Sequence, residues 1–237
     1  MARKYMTPRT MTVSGVLSMT TRVGAVTLHG PPGTGKTSLL QLLHEAARRM
    51  TGIFSDVIYV NMHAGDLKSA LSAALLTVGG LFAPTTTGSK MPLLLLANGA
   101  QKLYGKESKF WTGIRRLHSG EQLGVRVILA SEYISMPSPS SGDWEPESDL
   151  LQWNEECTVG LDSSRVGLHF PRAEYGELLR SFRREKWVDA LSDGELSSAV
   201  YNLTAGQAGL VTGILDHTNE QLLPGEPFAE DMFDKVL

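Results

Sequence analysis

A single cysteine, Cys157, stands in 237 residues, so no disulfide can close within the chain and a reducing compartment is the expected setting. Long apolar runs are missing too. The strongest, Leu93 to Leu96, falls far short of the roughly 20 residues of a membrane-spanning helix, and no membrane association is expected. The N-terminus lacks an apolar stretch followed by a small-residue cleavage site, so no secretory signal is expected and the reading is an intracellular protein, cytoplasmic or nuclear. An excess of positive charge is absent as well. Twenty-two Lys and Arg face 25 Asp and Glu, a formal net charge of −3, and without a basic field nucleic acid is not an expected partner. The one local basic bias, MARKYMTPR with Arg3, Lys4 and Arg9, reads as a solvated tail. No internal repeat occurs.

What is present is an ordinary globular composition, 42% hydrophobic and 20% charged, in a chain long enough for a sizeable core. Val23 to Leu28 is a short β-rich run leading into HGPPGTGKTS. TSLLQLLHEAARRM (37–50) carries leucines and alanines at helical spacing. Asp56 to Met62 is a second strand, LKSALSAALL a helix, PLLLL (92–96) a third strand. In Ser108 to His118, Phe110, Trp111, Ile114 and Leu117 share one helical face, and Val125 to Ala130 is a fourth strand. Apolar strands alternating with helices predict an α/β fold, a parallel sheet covered by helices on both faces. Residues 135–158, rich in Ser, Pro and acids, read as a long exposed loop. VGLHF (166–170) reads as a further strand. A helix from Pro171 follows, with Tyr175, Leu178, Leu179 and Phe182 on one face, then two helices broken at Thr204-Ala205-Gly206. The expected organisation is a tail over 1–20, an α/β core over 21–170, a small helical subdomain over 171–223 and a C-terminal tail over 224–237.

The chemistry concentrates in Gly30-Pro31-Pro32-Gly33-Thr34-Gly35-Lys36-Thr37-Ser38, which matches GxxxxGK[ST] without deviation. Glycines let the backbone approach a ligand closely. Successive N–H groups then form a concave anion nest at a helix N-terminus. Lys36 suits the β- and γ-phosphates, and the Thr37 hydroxyl suits Mg²⁺. The pattern, a strand leading into the loop and a leucine-rich helix out of it, predicts a P-loop that binds a nucleoside triphosphate, ATP, with Mg²⁺.

With loop and strand pattern in place, the chain resembles the P-loop NTPases of the AAA and STAND type, for which GPPGTGKTS is typical. It is more closely similar to the NTPase domains of Crinkler-type effectors and retrotransposon-hot-spot proteins, through NGAQKLYG at 98–105, KFWTGIRRL at 109–117, VRVILASEY at 125–133 and LTAGQAGLV at 203–211. The resemblance spans roughly residues 23 to 222. It implies an ATP-type nucleotide, a core sheet with a helical subdomain, and a role in a signalling or effector protein. The partners implied are the nucleotide and, through the helical subdomain, a protein or a further copy of the chain.

Two departures stand out. The Asp-Glu pair of those proteins becomes Asn98-Gly99, a degenerate Walker B, and the proline of the late turn becomes Ala208. Asn keeps one acceptor oxygen but loses the charge, and Gly supplies nothing to orient water. Binding with weak or absent hydrolysis is therefore the first expectation, and the function a nucleotide-dependent regulatory or effector module. The alternative is an active Mg-dependent ATPase with a relocated acid, Glu132 first and Asp66 second, beside the essential Lys36. Each acid also has a plain reading, Glu132 as a solvated loop acid and Asp66 as a helix N-cap. Ser131 is either a γ-phosphate sensor or a strand-end hydroxyl. Gln101 reads as a helix-surface residue, His29 as a packed one. Arg115, Arg116, Arg180, Arg183 and Arg184 read as solvated helix faces, any of which could serve as an arginine finger. A small-molecule kinase lacks its basic lid, because the 135–158 loop is acidic.

Overall fold

The computed structural model describes residues 7–64, 68–69, 78–84, 91–103, 108–132, 157–161, 166–186 and 194–221. The expected loop at 135–158 lies outside them except for its last two residues, as does Asp66. Five strands form one parallel sheet: β1 (Ala25–His29), β2 (Val57–Asn61), β3 (Leu93–Asn98), β4 (Val125–Ser131) and β5 (Thr158–Val159), in the order β2-β3-β4-β1-β5. β4 thus lies between the strand that leads into the glycine-rich loop and the strand that ends at Asn98.

The strands carry apolar residues on both faces, as a sheet covered on both sides requires. Leu94 and Leu96 of β3, Ile128 and Ala130 of β4, and Val26 and Leu28 of β1 point to one side. There they meet α1 (Thr10–Val23) and α2 (Lys36–Arg49). Leu95, Ala97, Val125, Val127 and Leu129 point to the other. That side is closed by α3 (Val78–Leu81) and α4 (Ser108–His118). The residues of α4 predicted to share a face, Phe110, Trp111, Ile114 and Leu117, are all buried there, and the Trp111 indole donates to the Leu103 carbonyl at 3.0 Å.

The third layer of packing is the helical subdomain: α5 (Arg172–Lys186), α6 (Gly194–Thr204) and α7 (Ala208–Gln221). Tyr175, Leu178, Leu179 and Phe182 of α5 bury against Phe170, Val200, Val211 and Leu215. α6 and α7 are separated at Ala205 and Gly206, both with positive φ, 48° and 73°. None of the described helices is long and apolar enough to cross a membrane.

Two expectations need correction. Residues 10–20, read as part of an N-terminal tail, belong to α1, which buries Val13, Val16, Leu17 and Met19. Its sequence, TMTVSGVLSMTTRV, is poor in strong helix formers. Packing against β1 and α2 compensates, as tertiary contact usually overrides weak propensity. VGLHF is not a strand. The Leu168 and His169 amides bond to the carbonyls of Gly160 and Leu161, and the Phe170 amide to Gly206. The sheet edge beside β1 belongs to Thr158–Val159 instead.

Candidate functional site

The glycine-rich loop runs from the C-terminal end of β1 into α2, the end of a parallel sheet where ligands are bound. Gly33 and Gly35 have φ of 78° and 81°, a conformation side-chain-bearing residues rarely adopt. Lys36 is 8% exposed. Its ammonium donates to the Gly30 carbonyl at 2.6 Å, to the Pro31 carbonyl at 2.7 Å and to the Thr34 hydroxyl at 3.2 Å. Burial lowers the Lys36 pKa, and the Glu132 carboxylate nearby opposes that. A triphosphate arriving here would compete with the loop's own carbonyls for the ammonium.

A cavity of about 380 Å³ opens over the loop. Pro32 to Ser38 line it, together with Leu42 of α2 and Glu132 just beyond β4. Thr7 and Arg9 from the segment before α1, Phe170, and Ala208, Gly209 and Thr212 of α7 complete it. Five stretches of the sequence, from Thr7 to Thr212, therefore meet around one space.

At the base of the loop the Thr37 hydroxyl donates to Asn98 Oδ1 at 3.3 Å. Asn98 is 7% exposed and its side chain lies beside the Tyr59 hydroxyl. Burial raises the Tyr59 pKa, and the Asn98 contact offsets part of that. The next residue, Gly99, has φ 76°, and a Cβ there would sit 2.7 Å from Nε2 of His63. His63 is held by a turn after β2, in which the Met62 amide bonds to the Asn98 carbonyl at 2.9 Å and the His63 amide to Asn61 Oδ1 at 3.1 Å. An imidazole thus stands where a side chain at 99 would begin.

Ser131 is 1% exposed, lies 3.0 Å from Nδ1 of His29, and does not line the cavity. His29 has its pKa lowered by burial and by the nearby Lys36 charge. Gln101 is half-buried within the 3₁₀ turn Ala100–Leu103 that follows Gly99, away from the cavity lining. Arg116 is committed to Glu121 at 2.7 Å, and Arg115 and Arg180 are exposed. The side chains of Arg183 and Arg184 lie outside the described residues. The structure therefore brings Lys36, Thr37, Asn98 and Glu132 to one site.

Sequence reasoning missed the other wall. Arg9, read as tail, is 3% exposed; its Nε donates to Glu174 Oε2 at 3.0 Å, and its Nη2 donates to the Gly167 and His169 carbonyls at 3.3 and 3.0 Å. Its guanidinium lies 4.7 Å from the centre of the Phe170 ring. Glu174, 1% exposed, accepts from the Thr12 amide at 2.7 Å and hydroxyl at 2.8 Å, so a carboxylate of α5 caps α1. α7 begins on the loop itself: the Gly209 amide donates to the Gly33 carbonyl at 2.8 Å. Glycine at 209 was legible only as part of a turn-like stretch.

No family model matches the sequence, and no curated protein shows significant similarity to it. Solved structures do. The replication initiator DnaA bound to AMPPCP and single-stranded DNA superposes with a TM-score of 0.51 at 16% identity, over 94% of this chain and 63% of that one. PCH-2 of C. elegans gives 0.50 at 14% identity, over 96% and 65%. The Walker-type ATPase paby2304 of Pyrococcus abyssi gives 0.51 at 13% identity, over 92% and 69%. The chain spans less than two thirds of the length of the first two. At these identities the likeness shows the fold, that of the P-loop NTPases.

Proposed function

We propose that the chain is an ATP-binding P-loop module with weak hydrolysis, in which nucleotide occupancy regulates an effector function. The observation that carries this reading is the pair at the base of the loop, Thr37 bonded to the neutral Asn98, followed by a glycine. A triphosphate fits the residues present: a loop with two positive-φ glycines, Lys36 and the N-terminus of α2 offer donors and positive charge. Mg²⁺ carried with it would be held through the Thr37 hydroxyl, where the metal's chemistry is to neutralise phosphate charge. Asn98 offers that ion a dipole in place of a carboxylate, which lowers affinity and rate together. The likeness to Crinkler-type and retrotransposon-hot-spot domains belongs to the same reading, supported by the buried Phe110-Trp111 pair of α4.

The test is retention of labelled ATP. With Mg²⁺, the purified protein is expected to carry mostly intact ATP after an hour, and Lys36→Ala to carry little. Rapid conversion of bound ATP to ADP would overturn the weak-hydrolysis part, and equal retention by Lys36→Ala the binding part.

A second reading has its own observation. Glu132 lines the cavity and its charge acts on Lys36, so it is placed to be a relocated acid in a working ATPase. Under that reading Glu132→Gln abolishes turnover with ATP affinity kept. Under the first it changes turnover little.

A further inference from the structure

The turn after β2 presents a side chain that the site described above leaves without a task. His63 is exposed, and its ring nitrogens have no hydrogen-bond partner among the described residues. Its backbone is fixed. The His63 amide bonds to Asn61 Oδ1 at 3.1 Å, the Ala64 amide to the Asn61 carbonyl at 3.0 Å and the Met62 amide to the Asn98 carbonyl at 2.9 Å. The ring reaches across to the end of β3, where a Cβ at Gly99 would lie 2.7 Å from Nε2 and 2.9 Å from Cδ2. Asn98, one residue earlier, accepts from the Thr37 hydroxyl, and the Gly99 amide bonds to the Ala130 carbonyl of β4, the strand that leads to Glu132. The imidazole therefore stands one residue along β3 from the Thr37–Asn98 contact. The other ionisable groups at this end of the sheet are engaged: His29 Nδ1 meets Ser131 at 3.0 Å, the Tyr59 hydroxyl lies beside Asn98, and the Glu132 charge acts on Lys36.

Resting on the nucleotide-binding reading above, we propose that His63 is the general base of the slow hydrolysis. Nε2 takes a proton from a water molecule as that water's oxygen bonds to the γ-phosphorus. The bond from the γ-phosphorus to the oxygen shared with the β-phosphate breaks, and its electron pair leaves with ADP. Inorganic phosphate forms, and the proton passes from the exposed ring to solvent. Imidazole is the side chain most often used for such a transfer. The position suits it in two ways: the exposed ring is reached by water, and glycine at 99 leaves the space before Nε2 free of a side chain. The base then comes from the turn after β2, the edge strand of the sheet, rather than from β3. It also accounts for a rate that is low without being nil, because a base supplies only part of the acceleration while the neutral Asn98 withholds the electrostatic part.

The experiment loads the full chain with γ-labelled ATP and Mg²⁺ and follows phosphate release over a day, with ATP affinity from isothermal titration and thermal melting alongside. His63→Ala and His63→Gln are expected to bind ATP and to melt as wild type does, and to release phosphate about a hundredfold more slowly, the low end for loss of a general base. Imidazole added to the buffer should restore part of the rate in His63→Ala, where the ring's place is vacated, and none in His63→Gln. Gly99→Ala pushes the ring aside, so it should slow release while His63 is present and slow it no further in His63→Ala, the mark of two residues acting as one unit. Release at the wild-type rate by either His63 variant overturns the inference. So does a loss that imidazole leaves untouched, a loss that comes with weaker ATP binding or a lower melting temperature, or a wild type that releases no phosphate. Loss of release in Glu132→Gln with none in His63→Ala overturns it too and assigns the base to Glu132. Failure of wild type to bind ATP, or binding indifferent to Lys36→Ala, would instead overturn the nucleotide-binding reading beneath it.

Discussion

Replacing Gly209 with alanine tests how tightly the helical subdomain is seated on the phosphate loop. A Cβ at 209 would lie 2.3 Å from the Gly33 carbonyl oxygen, 3.1 Å from its carbon and 3.2 Å from its Cα. All three are backbone atoms of the loop, so none can swing aside as a side-chain tip would. To restore ordinary contact the start of α7 must retreat by about 1 Å, enough to lengthen the 2.8 Å Gly209 bond past useful range. The lost bond is worth about 1 kcal/mol, and overpacking adds about 1–3 kcal/mol. Against this, alanine is the better helix former by up to about 1 kcal/mol. The net expectation is a loss of about 1–3 kcal/mol, measured by urea denaturation of the nucleotide-free protein. Release of a fluorescent ATP analogue, followed by stopped flow, should accelerate about tenfold or more. The sign makes the test sharp, because helix propensity alone predicts a gain. A Gly209→Ala protein as stable as wild type, with unchanged release, would refute the docked geometry.

Other substitutions and conditions carry equally direct expectations. Asn98→Asp puts a charge beside Thr37 and should lower the Mg²⁺ concentration needed for ATP binding several-fold, read by titration at fixed ATP; an unchanged requirement would count against Thr37 and Asn98 as the metal's contacts. Gly99→Glu meets both a φ of 76° and the His63 ring, so it should destabilise by about 1–3 kcal/mol in chemical denaturation, and turnover should not appear until His63→Ala is added. Arg9→Met leaves Glu174 buried without its cation, and a loss of about 3–5 kcal/mol is expected in the same assay. His29 and His118 both have pKa values lowered from 6.5, chiefly by burial. The unfolded chain therefore binds more protons than the folded one between those depressed values and about 6.5. Stability should rise with pH across that window and be lost on acidification through it, with a shallower slope in His29→Gln, read from melting curves between pH 5 and 7.5.

What could be read without coordinates was local. The strand-loop-helix unit from Ala25 to Arg49 is written in one uninterrupted stretch, and the alternating β3 and β4 residues declare a sheet covered on both sides. Glu132 was legible because it directly follows a strand. Asn98 was placed only through the resemblance. The opposite wall was not legible, because it is assembled from Thr7, Arg9, Phe170 and Gly209, more than 200 positions from end to end. Nothing near Arg9 signals burial; its partner is Glu174. VGLHF has the composition of a strand, yet its last amide is taken by Gly206, a partner that no window of neighbouring residues contains.

The cap on α1 has a consequence for how the polypeptide can be divided. The Thr12 amide, in the first turn of the first described helix, is satisfied by a carboxylate contributed 162 positions later, so that helix is completed only when α5 arrives. A fragment beginning at residue 21, or one ending before Glu174, cuts through this stitch, stranding either an acid or a guanidinium in an apolar setting. The protein should accordingly melt in one transition, resist division by limited proteolysis between its sheet and its helices, and fold late in synthesis, once the later helices have been made.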